Sequence, residues 1–449
     1  MFAPISHRRR IASFALALPL VGLLLLGGGC ASSRCNKTCC SPGQSSPPNP
    51  TIGLAEVERG RITADLTAIK QLESLAIAPS DDVHGDEPYR ALGPADCQCF
   101  AVAASAGGNR IAAERAASCA QNSAKPKRTA RLTRLRMQLL SMAEIAARDL
   151  SSAQALEYYY KLAAAEHGRE IFAKSLRELS DAQVNLSELQ ARGLQGISND
   201  GSLQRQRFDL ASQLGQVELD RRELNENLRN KLGVPLHEPW WSIWPNTPLA
   251  VDATAIDVDS AVAIGLETRA ELRLLRLVLC NLDTETLSVA RTVLSQANGL
   301  LGLEPPALCR CCCLCLLNGP LRGDCSEEME VAARRAQVAQ QLAEQEATVA
   351  SQVRLAVRTI ETRLEQVVLA RQELASWTAR LQAVESKATT GESTFLEITQ
   401  TRVRKLEAEH KLIRQVVAWQ LAHVQLKKAQ GVLSQECGYG PTSQHIAAH

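Results

Sequence analysis

Ser326-Glu-Glu-Met-Glu-Val-Ala-Ala opens a stretch that runs to Gly431 without a proline, and its interior, Val349-Ala-Ser-Gln-Val-Arg-Leu-Ala-Val-Arg-Thr-Ile360, decides the fold. Apolar residues recur there at heptad spacing: Val353, Ile360, Val367, Leu374, Leu381 and Ala388. A second row, Val349, Ala356, Ala370, Trp377 and Val384, is offset by four, and Arg363 breaks it. Two rows at this spacing predict a coiled-coil seam along one helix. The acidic start, Glu327 and Glu328, suits a helix N-terminus. The pattern breaks once, at Thr389-Thr-Gly-Glu-Ser393, after which Thr394 and Glu397 have the T-x-x-E spacing of a capping box. The stretch therefore reads as a very long helix of roughly 100 Å, a tight turn, and a shorter helix folded back to Gly431.

Composition supports rods. The chain has 449 residues, a net charge of +2 and only 4% aromatic residues, so charge argues neither for nucleic acid nor for an acidic tail. All 18 prolines avoid the windows 127–234 and 321–440, and proline is the strongest breaker of helix interiors. The first window carries its own rod. Leu132, Leu135, Leu139, Met142, Ala146, Leu150 and Ala153 recur at threes and fours, and Phe172, Leu176, Leu179, Ala182, Leu186 and Leu189 resume the pattern. The rods begin near Arg128 and Ser326, their turn glycines are Gly193 and Gly391, and their terminal glycines are Gly233 and Gly431. Each pair differs by 198 (326 − 128, 391 − 193, 431 − 233), the mark of a tandem repeat. The predicted fold is all-α, two long helical hairpins in tandem.

The rest of the chain divides around these rods. Arg8-Arg-Arg10, the apolar run Ile11–Leu26 and Gly27-Gly-Gly-Cys30 have the anatomy of a signal peptide over residues 1–29. Cys30 is the expected lipid attachment site, although Gly27 stands where a lipobox carries Leu; a plain secretory signal and an uncleaved anchor are the other readings. Residues 30–88 follow as a Ser/Pro-rich tether and an N-terminal segment with one short helix near Ile62–Leu75. The first repeat covers 89–233, with its long hairpin at 128–233. Its Cys97–Cys119 portion reads as helix with a weak spot at Gly107-Gly108. A non-helical connector, 234–256, holds Trp240, Trp241 and Trp244, read as a packing patch. The second repeat covers 257–434, with one helix over Asp257–Ala297 and the long hairpin at 326–431. A disordered tail is expected over 435–449.

Fifteen cysteines are unevenly placed. The cluster Cys309, Cys311, Cys312, Cys313 and Cys315 is too tight for all five to face one ion, and exported proteins favour disulfides. Disulfides are the preferred reading; membrane-surface contact, a metal and no role stay open. Cys97-Gln-Cys99 reads as a disulfide half or as core thiols. No H-E-x-x-H, G-x-S-x-G, P-loop or dinucleotide glycine pattern occurs. The expectation is no enzyme, no cofactor and no metal.

Several segments together resemble the TolC-like outer-membrane efflux proteins over roughly Tyr89–Gly431. Val258-Asp-Ser-Ala-Val-Ala-Ile-Gly-Leu-Glu-Thr-Arg-Ala-Glu-Leu272 is similar to that family's A-L-x-x-R-P-E-L segment, with Ala270 in place of the proline. Leu228-Arg-Asn-Lys-Leu-Gly233 is similar to the end of its first repeat, and Gly193-Leu194 and Gly391-x-Ser-Thr-x-Leu-Glu397 to its two hairpin tips. The resemblance implies a homotrimer whose six hairpins close a hollow periplasmic cylinder. The tips would dock the periplasmic adaptor protein of a tripartite system with an inner-membrane pump. Arg192, Gly193, Leu194, Gly391, Ser393 and Thr394 become docking positions, and Glu397 a carboxylate lining the pore aperture, unless it serves only its cap. Gln400 stands where a second acid is often found.

One departure qualifies this. The family inserts a pair of spanning strands in each half, and neither Gln121–Lys127 nor Asn298–Cys325 has the length and alternation these need. A reduced or absent barrel is expected, with either the lipid on Cys30 as the sole attachment to the outer membrane or the pore completed by another protein. The leading expectation is an efflux-duct subunit on the periplasmic side of that membrane, and the rival a non-conducting coiled-coil scaffold lipoprotein.

Overall fold

The computed structural model describes residues 88–122, 130–192, 200–234, 241–246, 249–252, 254–297, 301–302 and 323–440. The signal segment with Cys30, the tether, the helix expected near Ile62–Leu75, Gly193, Leu194 and the cluster Cys309–Cys315 lie outside them.

The order of elements is β1 (Tyr89–Leu92), α1 (Pro94–Ala103), α2 (Ala106–Asn122), α3 (Ala130–Ala191), α4 (Asp200–Leu232), β2 (Ser242–Pro245), α5 (Val258–Thr268), α6 (Ala270–Asn281), α7 (Leu287–Ala297), α8 (Gly323–Thr389), α9 (Phe395–Gln430) and α10 (Leu433–Glu436). The two proline-free windows became the long arms, 62 residues in α3 and 67 in α8, with returns of 33 in α4 and 36 in α9. The helix ends repeat as well: 389 − 191 and 430 − 232 both give 198.

The four long helices form one layer in the order α4, α3, α9, α8. α3 and α9 are covered on both flanks, α4 and α8 on one. The heptad rows face the partner helix: Val349, Val353, Ala356, Ile360, Val367 and Ala370 of α8 are buried together with Leu412, Ile413, Val416 and Trp419 of α9. Each valine, leucine or isoleucine of this set contributes roughly 1.5–3 kcal/mol on burial. Trp377, Leu374 and Leu381, nearer the turn, are only partly covered. The short helices gather at the roots of the hairpins, α1 and α2 against α3, α5 and α7 against α8, and α6 against both.

The glycines that end the return helices do the same work twice. At Gly233 (φ 72°) the amides of Gly233 and Val234 donate to Asn230 and Arg229. At Gly431 (φ 71°) those of Gly431 and Val432 donate to Lys428 and Lys427. Both are Schellman ends, which need a left-handed residue. A Cβ on Gly233 would sit 2.7 Å from the Cβ of Ala104, and one on Gly431 would sit 3.1 Å from the Cδ of Arg269. Ala104 and Arg269 are thus equivalent points of the two repeats, and at each one the short helix breaks.

That equivalence corrects two expectations. The first helix of the repeat breaks at Ala104-Ser105 and not at Gly107-Gly108. Ser105 Oγ accepts from the Gly108 amide (3.2 Å), so both glycines fall in the first turn of α2. The helix expected over Asp257–Ala297 is three helices. It breaks at Arg269 (ψ 123°), whose guanidinium donates to the carbonyls of Lys428 and Ala429 at 3.2 and 3.3 Å. Tertiary bonds therefore hold the break although Ala270 replaces the proline of the similar segment. It breaks again where Asp283 and Thr286 exchange two backbone-to-side-chain bonds of 2.9 Å.

The connector is non-helical over its described residues, as expected, and adds a detail. Ser242–Pro245 pairs in parallel with Tyr89–Leu92, a two-stranded ladder that composition did not reveal. Trp241 and Trp244 are buried beside it, as a packing patch should be, and Trp240 lies outside the described residues. Arg90 and Arg229 lie 4.4 and 5.0 Å from the Trp241 ring centroid. The tail is also ordered further than expected. α10 follows Gly431, and Cys437 is bonded to Cys99, so disorder does not begin at residue 435. Among the described residues no helix is long and apolar enough to cross a membrane.

Backbone strain and crowding can be separated experimentally. Gly391 also has a positive φ (78°) but open space around its Cβ position. Gly391→Ala should cost about 1 kcal/mol from left-handed strain, and Gly233→Ala clearly more because it also meets Ala104. Thermal unfolding midpoints should rank wild type above Gly391→Ala above Gly233→Ala; equal shifts would mean that the Ala104 contact relaxes freely.

Candidate functional site

The tip of the second hairpin is built from local hydrogen bonds. Gly391 ends α8 as a third Schellman turn, with the amides of Glu392 and Gly391 donating to Lys387 (3.0 Å) and Ala388 (3.1 Å). Ser393 Oγ donates to the Val384 carbonyl at 3.0 Å. Thr394 caps α9 by accepting from the Glu397 amide at 3.2 Å, so the Thr394 half of the expected box is present. Thr390, Gly391, Glu392, Thr394, Phe395 and Glu397 are exposed. The turn is rigid in backbone and open in side chain, the combination a docking surface uses. Glu392 adds a second carboxylate that sequence reading passed over. At the first tip Arg192 is exposed, with Glu188 3.9 Å away; Gly193 and Leu194 of the same proposed surface lie outside the described residues.

Above the tips the two hairpins meet along α3 and α9. Leu179 and Leu186 of α3, Leu203 and Leu210 of α4 and Val403 of α9 are buried as one cluster. Beside it Arg402 of α9 reaches Glu385 of α8 at 2.9 Å and Glu178 of α3 at 3.4 Å. These groups are more than a third exposed, and such pairs are worth about 0–1 kcal/mol each. The pairing was not legible in the sequence, because Glu178 and Arg402 are separated by 224 residues.

Between the tips and the roots Gly168 of α3 leaves room for His410 of α9; a Cβ there would lie 3.0 Å from the imidazole. The His410 ring also sits 4.8 Å from the ring of Phe172. An open groove of about 730 Å³ runs beside them over α3, between α4 and α9, with Val217, Leu421, Asp220 and Arg414 among its walls. Burial pushes His410 below its ordinary value, with Arg414 adding to the effect. His167, the residue before Gly168, is pushed down to about 4 by burial and by Lys174.

A buried charge cluster ties β1 to this region. Arg221 donates to Glu218 (2.7 Å) and to the Tyr89 hydroxyl (2.8 Å), and lies 3.5 Å from Glu166. Burial pushes Glu166 up to about 7, against the pull of Arg221 and Arg169. Among the described residues no group of His, Cys, Asp and Glu has the arrangement of a metal site.

The outer flanks of the layer carry the remaining signal. α4 exposes Phe208 (65%) and Leu219 (60%), and α8 exposes Leu355 (67%) and Leu369 (63%). The spacings, 11 and 14 residues, are close to three and four turns, so each pair lies on one stripe. Arg169–Glu218 (3.3 Å) and Lys411–Glu373 (2.5 Å), with the Gly168–His410 contact between them, bring Leu219 and Leu369 to within about a turn of the same height. The sequence did hold this signal: Leu355 and Leu369 each stand two places beyond a seam valine, on the far side of the helix.

No protein-family model matches the chain, and no curated protein matches it. Solved structures do. CusC, described for conformational changes accompanying folding and transmembrane channel formation, superposes with a TM-score of 0.56 at 12% identity, over 80% of this chain and 99% of that one. The outer-membrane channel OprN gives 0.55 at 13% identity, over 79% and 96%. The open state of the Neisseria gonorrhoeae MtrE outer membrane channel gives 0.55 at 10% identity, over 75% and 88%. At these identities the likeness is one of fold, and the TolC-like fold anticipated from the hairpin tips and the repeat is the fold observed.

Two measurements follow from the seam. Leu179→Ala should cost 2–5 kcal/mol and Arg402→Ala no more than about 1; an Arg402 effect as large as that of Leu179 would give the seam to charge rather than to apolar contact. His167 binds its proton more weakly folded than unfolded. Its contribution is complete above pH 6.5 and is lost as pH falls toward about 4. Glu166, raised from 4.5 to about 7, acts in the opposite sense between those values. The thermal midpoint of the wild type should therefore fall more between pH 7 and 4.5 than that of His167→Gln, since Glu166 is common to both.

Proposed function

We propose that this chain is a subunit of an efflux duct at the outer membrane. Three copies would close their α4–α3–α9–α8 layers into a hollow periplasmic cylinder. The hairpin tips would dock the adaptor of a tripartite pump, and no catalytic step would be carried by the chain itself. The observation that carries this reading is the pair of unlike apolar flanks on the layer. An exposed stripe on α4 and a different one on α8 cannot both be covered by a two-fold contact of like with like. They are covered when each copy sets its α8 flank on the α4 flank of the next, and such head-to-tail contacts form a ring when the rotation from copy to copy closes. The number three comes from the resemblance, as does the direction of the tips.

Within this reading Arg192, Gly193, Leu194, Gly391, Ser393 and Thr394 present the rigid turns to the adaptor. Glu397, with Glu392 beside it, supplies a carboxylate from each copy to the aperture. A ring of such charges favours cations. The acidic residue also sits well in the first turn of α9, where the helix dipole favours negative charge. Cys30 carries the lipid that holds the assembly to the membrane.

Native mass measurement and electron microscopy of the full-length protein test the assembly, and dye export from cells tests the activity. A hollow trimer is expected for the wild type. Leu219→Glu and Leu369→Glu should each give a helical monomer or an open oligomer and abolish export. A solid dimer, or a trimer indifferent to both substitutions, would favour the scaffold reading instead.

A further inference from the structure

We propose that residues 432–438 form an oxidation-dependent strap that locks the roots of the two hairpins together and is tied only in a compartment that oxidises thiols. This inference concerns the chain's own covalent architecture and does not rest on the duct reading. The Schellman turn at Gly431 ends α9 and sends the chain across three helices. Leu433, fully buried, packs with Ala153 and Leu156 of α3 and Val424 of α9. The Ser434 amide donates to Asp149 of α3 at 2.6 Å. Gln98 of α1 donates to the Leu433 carbonyl (2.9 Å) and to Glu436 (2.8 Å). Beyond the strap, Tyr439 lies under the Arg148 guanidinium, 4.6 Å from ring centroid to charge. The strap thus holds the first repeat through α1 and α3 and the second through α9.

Its helix is only four residues long, far too short to persist without anchors. The Cys99–Cys437 bond is the anchor that cannot dissociate. It closes a separation of 338 residues, so it removes a large share of the freedom of the unfolded chain. The neighbouring thiol does not compete. Cys97 is fully buried on the other side of α1, among Tyr159 and Leu228, and burial pushes it up to about 12.

Tying the strap is a two-electron exchange. One of the two thiols, as thiolate, attacks the disulfide of a thiol–disulfide oxidant and forms a mixed disulfide. The other thiolate displaces it, forming the Cys99–Cys437 bond. The oxidant leaves as a dithiol carrying both electrons and both protons. A cytosolic glutathione pool drives the reverse reaction, so the strap is open before export and closed after it.

The test uses the full-length exported protein. Alkylation without reduction, followed by peptide mass analysis, should leave Cys99 and Cys437 unmodified. Hydrogen exchange with and without dithiothreitol then reads the lock. Reduction should raise exchange about ten-fold or more in 432–439 and also at the roots, 146–156 and 422–430. Cys437→Ser should show the raised exchange at once and respond no further there to dithiothreitol, while Cys97→Ala keeps the wild-type response to dithiothreitol. Alkylation of both cysteines would overturn the proposal. So would a reduction effect confined to 437–440, or one that persists in Cys437→Ser. Reducing the folded wild type keeps the test available if the serine variant does not accumulate.

Discussion

The contact between α3 and α9 is the one on which the architecture depends. Each hairpin can bury a seam within itself, α3 on α4 and α8 on α9. A single layer arises only because the two inner helices also bury their second flanks against each other. That requires helices with apolar residues on two sides, and it requires close approach. Gly168 supplies the approach where His410 sits against it, and Leu179 with Val403 supplies the apolar cover nearer the tips. The ion pairs of Arg402 decorate this contact and do not create it, since their partners remain wet.

Much of this was legible in the residues because it depends on local periodicity. The seam valines of α8, the break at Gly391 and the cap at Thr394 follow from spacing and turn chemistry alone, and each is where the spacing puts it. What was not legible depends on distant partners. Arg269 breaks a helix because the end of α9, 159 residues away, offers it a carbonyl. Ser242–Pro245 becomes a strand because Tyr89–Leu92 lies beside it, although four residues with a proline carry no strand signal of their own. Cys437 sits in a polar tail whose composition argues for disorder, and Cys99 overrides composition. The exposed leucines of α8 were visible but unremarkable, because a leucine off the seam acquires meaning only once its helix is known to lie at the edge.

The polar interior of α3 is the other departure from a plain rod. Glu166 and Arg221 are each 2% exposed, and a buried ion pair of this kind seldom adds net stability. Its place explains its use. Arg221 reaches the hydroxyl of Tyr89 at the start of β1, so the cluster fixes where the strand pair and its tryptophans rest on the long helices. Apolar contact alone, being non-directional, would let that small sheet slide along the rods. The Arg221–Tyr89 bond adds a directional tie, beside those that the Tyr159 hydroxyl makes to the Leu92 carbonyl (3.0 Å) and the Ile243 amide to Asn225 (3.2 Å).

The two flanks of the layer have a further consequence. In the ring proposed above the α4 side and the α8 side are different surfaces, so damage to one would leave the other adhesive. A copy spoiled at Leu369 alone would still accept a neighbour at Phe208 and Leu219, and would then offer nothing to the next. Such a molecule is a terminator rather than a bystander. In a mixed population its harm would grow with the number of positions per closed assembly, so a single defective allele could silence intact ones.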